Sequence, residues 1–341
     1  MTRPNKLALS IIIPVFNGEK YIERCVKSVF DQGLDVKKFE VLLIDDGSSD
    51  NSVLIIKNLV RNHTNINFLQ QANKGPGAAR NLGMKEAIGD YIYFIDCDDY
   101  LIRGAFNNIL ELAQSNDLDV LGFGSKAVFD DQEYENETKF NFKIENPLDI
   151  QNGCAFIAHH NFQNEVWWYL TKRDYVEKAE LTFPEGRMLE DVAFTAKLLI
   201  QAKKVSYIPF KIHCYFRHSE SILSISEPTH YQKLIHDYEK AVFDYEKVIT
   251  LVKNCSEAAI NRVKTRQQSF VFFMIIRFFK SKGCYTELHK SLKRLEEINA
   301  YPLYQFIGKD YNSFQLKLMT FICNHKILLR FSFHTFRLLK R

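Results

Sequence analysis

Leu9-Ser-Ile-Ile-Ile-Pro-Val15 is rich in β-branched residues and almost wholly apolar, as a strand covered on both faces must be. Outward from it, Tyr21, Ile22, Cys25, Val26, Val29 and Phe30 recur at three- and four-residue steps, which predicts an amphipathic helix. Phe39 to Ile44 reads as a second buried strand and Val53 to Val60 as a second helix. Asn67 to Gln70 is a short third strand, Ala78 to Ala87 a third helix and Tyr91 to Ile95 a fourth strand. Strand and helix alternating over short connections predict an α/β domain with a mostly parallel sheet and right-handed crossovers.

Beyond residue 120 the pattern loosens. Val120 to Phe129 reads as a strand, Asp130 to Asn146 as a polar insertion, and Val192 to Ile200 as a helix. Val205 to Ile208 and Ile212 to Phe216 read as two short strands. Past Ser226, Tyr231, Leu234, Ile235, Tyr238, Val242 and Tyr245 trace one helical face, and further helical stretches follow. The expected division is therefore an α/β domain over 1–225 and a helical region over 226–341.

A chain of 341 residues has room for one large domain and an appendage. Its 46% hydrophobic and 25% charged residues suit a packed protein. A net charge of +4 is small for this size and does not predict nucleic-acid binding. The seven cysteines are scattered, with no C-x-x-C pair, which argues against a disulfide scaffold or cysteine zinc site and for a reducing compartment. Met1 to Asn5 is too short and polar for the start of a signal peptide, and no apolar run reaches the roughly 20 residues of a spanning helix. The expected location is cytoplasmic.

In open parallel sheets, ligands bind beyond the carboxyl ends of the strands. Strand one ends in Pro14-Val-Phe-Asn-Gly18, strand two in Asp45-Asp-Gly-Ser-Ser-Asp50 and strand four in Asp96-Cys-Asp-Asp99. Asn17, Asp50 and Asp99 would serve as helix caps. Caps leave the surplus carboxylates unexplained, because like charges at one sheet edge repel unless a cation sits among them. Carboxylate, water and phosphate oxygens form the shell that Mg²⁺ or Mn²⁺ prefers, and a diphosphate would complete it.

Four blocks in order, Ser10 to Glu19, Glu40 to Asp50, Asn73 to Gly83 and Tyr93 to Asp99, resemble the family 2 glycosyltransferases of the GT-A fold, which invert at the anomeric carbon. With later blocks the resemblance covers residues 7 to about 225. It implies a nucleotide-sugar donor, UDP by family expectation, and Mn²⁺ or Mg²⁺. It also implies that Pro14 to Glu19 wall the base, with Phe16 stacked on the ring and Asn17 and Glu19 beside it. Asp46 matches the base-contacting carboxylate, with Asp45 next to it, and Arg80 and Lys74 match cations near the nucleotide. Asp96 and Asp98 match the D-x-D motif, Asp98 as direct metal ligand and Asp96 nearer the ribose and metal waters. Gly75-x-Gly77-x-x-Arg80 imitates a dinucleotide fingerprint, but the third glycine is missing and the motif does not follow the first strand.

Glu190-Asp191, opening an apolar helix, resembles the family's Glu-Asp motif, which makes Asp191 the general base and Glu190 its supporting neighbour. A plainer reading has both acids complementing the helix dipole. Val166-Trp-Trp-Tyr-Leu-Thr-Lys-Arg173 matches an acceptor-side segment, where Tyr169 and Thr171 depart from the family pattern. Trp167 and Trp168 there are either a sugar-stacking platform or core. His213, Tyr215, Arg217 and His218 match a block that closes over the diphosphate, so that Arg217 or His218 reaches phosphate or metal.

From Leu316 onward there are six Lys or Arg and no acid, among many apolar residues. That suits a helix lying on an anionic leaflet at the inner face of the plasma membrane, or else a helical cap on the catalytic domain. The implied acceptor is a glycan or lipid-linked saccharide in surface-polysaccharide synthesis. Two other readings compete. A nucleotidyltransferase would need a Gly- and Arg-rich loop after strand one, where Val-Phe-Asn-Gly-Glu stands instead. A non-catalytic nucleotide- or carbohydrate-binding module would have no need of Asp96, Asp98 and Asp191 together.

Overall fold

The computed structural model describes residues 7–129, 134, 147–218, 227–308 and 310–339. They fall into two units, Met1–Phe156 with Gln163–Ser219, and Ile157–Phe162 with Glu220–Arg341. The boundary expected near residue 226, and all of the expected 130–146 insertion except Tyr134, lie outside the described residues.

In the first unit β1 (Leu9–Val15), β2 (Phe39–Asp45), β3 (Ile66–Gln70) and β4 (Tyr91–Phe94) alternate with α1 (Ile22–Phe30), α2 (Ser52–Asn62) and α3 (Pro76–Glu86). Every residue of β1, β2 and β4 is buried, which is why each reads as an unbroken apolar run. β1 pairs in parallel with β2 and β4, and β2 with β3. Gly83 lets α3 lie directly on β1, since a Cβ there would come within 2.4 Å of the Ile12 side chain.

The chain then adds β5 (Tyr100–Leu101), α4 (Phe106–Ser115), β6 (Val120–Val128), α5 (Gly153–His159), β7 (Tyr169–Lys172), α6 (Arg173–Lys178), α7 (Asp191–Gln201) and β8 (Val205–Phe216). The eight-stranded order is β3-β2-β1-β4-β7-β6-β8-β5. β7 runs antiparallel to both β4 and β6, and β5 antiparallel to β8, so the sheet is parallel over its first four strands and mixed beyond. The two short strands expected over 205–216 are one continuous strand. Register shifts flanking Gly124 absorb the irregularity at Pro209.

The second unit is helical: α8 (Pro228–Leu251), α9 (Glu257–Lys280), α10 (Tyr285–Glu297), α11 (Phe314–Asn324) and α12 (Lys326–Leu339). Tyr245 and Phe270 meet edge to face where α8 packs on α9. Two buried glutamines of α9 are satisfied, Gln267 donating to Val242 O of α8 at 3.1 Å and Gln268 to Pro302 O beyond α10 at 3.0 Å. Among the described residues no helix is long and apolar enough to cross a membrane.

Candidate active site

Three loops at the carboxyl ends of β1, β2 and β4 converge with the start of α7 and the end of β8. The first two are laced together. Asn17 N–H donates to Ser48 Oγ at 2.9 Å, and Asn17 Oδ1 accepts from Ser49 N–H at 2.8 Å. Gly18 N–H donates to Ser52 Oγ, Glu19 N–H to Asp50 Oδ2, and Glu19 Oε2 accepts from Asn51 N–H. Asn17 sits at φ 51°, the left-handed turn that its short amide tolerates. This lacing leaves Phe16 standing 49% exposed on the lip, whereas Pro14 is buried within β1.

The acidic pair ending β2 turns inward. Asp45, expected beside the nucleotide, is fully buried and accepts from Ser48 N–H and Gln70 Nε2, which hold its loop. Asp46, also buried, accepts from Gln71 Nε2, Lys74 N–H and Gly75 N–H at 2.8–2.9 Å and so shapes the turn that opens α3. Lys74 itself is exposed.

Arg80 lies deeper in the site. It is 5% exposed, donating through Nη2 to Asp96 Oδ1 at 2.7 Å and through Nη1 to Glu190 Oε1. Burial disfavours its charge, but Asp96 and Glu190 outweigh that and hold it protonated. Arg80, expected as a cation near the nucleotide, is here a buried brace between the D-x-D and Glu-Asp segments.

The approach of these segments is built into α3. A Cβ on Gly77 would come within 2.4 Å of Pro184 O and 3.2 Å of the Glu190 side chain. One turn on, Asn81 Nδ2 donates to Phe183 O and Phe183 N–H donates to Asn81 Oδ1, both at 2.8 Å. This reciprocal amide pairing fixes the loop that delivers Asp191. The sequence reading gave Asn81 no role, although it follows Arg80 in the same block.

Burial, then the neighbouring Glu190 and Glu165, push the Asp191 carboxyl well above the usual carboxylate range, against the pull of Arg80. Burial likewise raises Asp96, while Arg80 pulls it back. An elevated carboxyl at a helix start is suited to accept a proton near neutrality.

Asp98 and Asp99 divide the work at the end of β4. Asp98 Oδ2 lies 2.9 Å from His218 Nε2, with both side chains partly exposed. Asp99 is fully buried, accepts from Phe216 N–H at 2.8 Å and meets His213 Nε2 at 2.9 Å. His213 Nδ1 lies 2.9 Å from the Tyr93 hydroxyl, whose own proton goes to Trp167 O at 3.0 Å. A carbonyl only accepts, so the Tyr93 oxygen accepts from His213 Nδ1–H. Burial pushes His213 down to about 3 and Asp99 well up. This buried chain ties β4 to β8 and so carries His218 to Asp98.

The tryptophans are core. Trp167 stacks on His213 at 4.4 Å with nearly parallel rings. Trp168 fills the space above Gly122, where a Cβ would lie 2.6 Å from its ring, and donates to Gln163 O. Both are buried, which favours the core reading over the acceptor platform. Arg217 is exposed, its guanidinium over the Tyr215 ring.

Among the described residues no group of three or more His, Cys, Asp or Glu is disposed to hold a metal. A smaller protein share suffices where a ligand supplies oxygens. Two neighbouring ligands of an octahedral ion, each about 2.1 Å from it, stand about 3 Å apart. The 2.9 Å between Asp98 Oδ2 and His218 Nε2 fits that spacing.

Residues 10–171 match the family described as Glycosyl transferase family 2. The chain is 32% identical over 219 residues to the uncharacterized glycosyltransferase EpsJ of Bacillus subtilis, covering 64% of this chain and 63% of that one, less than two thirds of its length. Residues 1–349 of S. aureus TarS, solved with UDP-GlcNAc, superpose with a TM-score of 0.66 at 20% identity over 97% of this chain and 92% of that one. A mannosyltransferase of Pyrobaculum calidifontis, solved with GDP-Man and Mn²⁺, gives 0.53 at 13% identity over 97% and 90%.

Proposed function

We propose that the chain, whose residues 10–171 match glycosyl transferase family 2, moves a sugar from a nucleotide diphosphate sugar to an acceptor hydroxyl with inversion. The observation that carries this is the Arg80 brace, which draws Asp96 and the Glu190-Asp191 pair to one place although they are far apart in sequence. A donor's diphosphate and an acceptor's hydroxyl must meet in just such a spot.

Asp191 takes the acceptor proton as the oxygen attacks the anomeric carbon from the side opposite the departing diphosphate. Glu190 and Asp96, both held by Arg80, fix the approach of the α7 start to the donor side. Phe16 offers its exposed ring to the base, and Arg217 and Lys74 are exposed cations within the loops that would close on phosphate. Asp98 and His218 would hold Mn²⁺ or Mg²⁺, whose Lewis acidity stabilises negative charge on the leaving diphosphate.

A UDP-sugar is the preferred donor because the TarS structure with the same fold carries UDP-GlcNAc. Polysaccharide or lipid-linked saccharide is the preferred acceptor class. The test is a thermal-shift panel of UDP-, GDP- and TDP-sugars with and without Mn²⁺, followed by nucleoside diphosphate release with the best donor. Stabilisation by one donor, and turnover that Asp191→Asn abolishes while the shift persists, is the expected result. A shift with no nucleotide released by the unaltered protein under any acceptor would favour a binding module.

A further inference from the structure

Helices α11 and α12 each have a packed side and an open side. In α11 Thr320 and Cys323 are buried, while Phe314, Leu318 and Phe321 are exposed. In α12 Leu329 and Phe333 are buried, while Ile327, Phe331 and Leu338 are 84%, 70% and 71% exposed. Spacings of four and seven residues return to the same side of a helix, so these six side chains form two continuous outward stripes rather than scattered exposures. Stripes of this size on a water-soluble surface mark something that covers them.

The charge says what. From Phe314 to Arg341 the chain carries Lys317, Lys326, Arg330, Arg337, Lys340 and Arg341 and no Asp or Glu. Lys317 and Arg330 are exposed, and Lys326 remains about half exposed while paired with Glu296 at 2.9 Å. Arg337 instead donates to Ser281 O and Gly283 O, and so docks α12 rather than facing outward. A second copy across a twofold axis would bring these acid-free helices against themselves, with the neighbouring Glu296 already paired to Lys326. A spanning role is excluded for the described helices by their length and polarity.

We propose that the α11–α12 surface binds the face of an anionic lipid bilayer, with the phenylalanine, isoleucine and leucine stripes entering the headgroup–acyl boundary and the cations beside them meeting lipid phosphate. Apolar burial holds the helices in the interface, and each cation near the surface adds attraction that salt screens.

Cosedimentation of the full chain with vesicles tests this directly. Vesicles containing phosphatidylglycerol should pellet the protein at low salt, and pure phosphatidylcholine vesicles should pellet about tenfold less. Raising NaCl from about 50 mM to 500 mM should release most of it. Ile327→Glu/Phe331→Glu/Leu338→Glu should abolish pelleting with an unchanged melting temperature, since all three side chains are exposed. If that variant misfolds, Lys317→Gln/Arg330→Gln, which removes only surface charge, should weaken pelleting with phosphatidylglycerol several-fold. Equal pelleting with both vesicle types, pelleting that survives both variants, or no pelleting with self-association instead would each overturn the proposal. The assay reads no sugar transfer, so its outcome is independent of the proposed enzymology.

Discussion

Arg80 and Glu190 form an ion pair across 110 residues of sequence, with both side chains almost wholly enclosed. The same guanidinium holds Asp96. An Arg chosen for such a place makes sense chemically, because its planar fork serves two carboxylates at once and it does not lose its proton on burial. Removing it would leave Glu190 as a buried charge with its partner gone. Arg80→Met should therefore lower stability by on the order of 3 kcal/mol, read as a drop in denaturant midpoint. Arg80→Lys should recover part of that and little of the transfer activity. A variant with wild-type midpoint would show that the brace is dispensable.

The Asp191 carboxyl carries a second prediction, with opposite signs for stability and activity. A carboxyl whose folded pKa lies above its unfolded one adds stability below the unfolded value and loses it as pH rises. At pH 8 the ionised group beside Glu190 and Glu165 is therefore unfavourable in the folded protein. Asp191→Asn should raise the melting temperature at pH 8, leave it nearly unchanged at pH 4, and reduce kcat by roughly a thousandfold. A lower melting temperature at pH 8 would contradict the charge argument.

The pH profile gives a third. The acid limb of kcat/KM should lie above the ordinary carboxylate range because burial and Glu190 raise the Asp191 carboxyl. Glu190→Gln removes a neighbouring negative charge, so the limb should move to lower pH even though the rate itself falls. A limb that stays in place would assign the titration to another group.

How far these features were legible in the sequence follows from how local their causes are. β1, β2 and β4 could be read because strands buried on both faces leave an apolar run. β7 could not, because its four residues pair with strands far away in sequence and its flanking tryptophans resemble a binding platform. Asp96 and Asp98 stood out as surplus charge, but Asp99 looked like a cap, since nothing local announces His213 as its partner. The brace made by Arg80 was hidden for the same reason: both its carboxylates arrive from other segments. The loop bonds of Asp45 were not legible, because a buried carboxylate serving loop amides has the same spelling as one serving a ligand.

Phe16 tests the donor side. Its ring is half exposed and packs on no core, so Phe16→Ala should leave the melting temperature of the free protein unchanged. Loss of stacking on a base is worth about 1–3 kcal/mol, so nucleotide affinity should fall roughly tenfold or more in titration calorimetry. Trp168→Ala is the contrast. It opens a cavity above Gly122 and should destabilise the fold by on the order of 3 kcal/mol, with the acceptor KM of the surviving enzyme unmoved. A Trp168→Ala protein of normal stability and altered acceptor KM would restore the platform reading.

The Asp98–His218 pair supplies the last test, and it can be read without turnover. Both side chains are partly exposed and 2.9 Å apart, close to the spacing of neighbouring ligands on one octahedral ion. Transfer should cease after chelation and return with Mn²⁺ or Mg²⁺. Bound Mn²⁺, counted by electron paramagnetic resonance in the presence of UDP, should require about tenfold more metal in His218→Gln and should be lost in Asp98→Ala. His218 is carried to this position by β8, whose end is held by the Asp99–Phe216 hydrogen bond. Asp99→Asn keeps a group that can accept from Phe216 N–H, and so should retain more Mn²⁺ affinity than Asp99→Ala. If Asp98→Ala binds Mn²⁺ as tightly as the unaltered protein, the ion lies elsewhere and the D-x-D segment serves the fold.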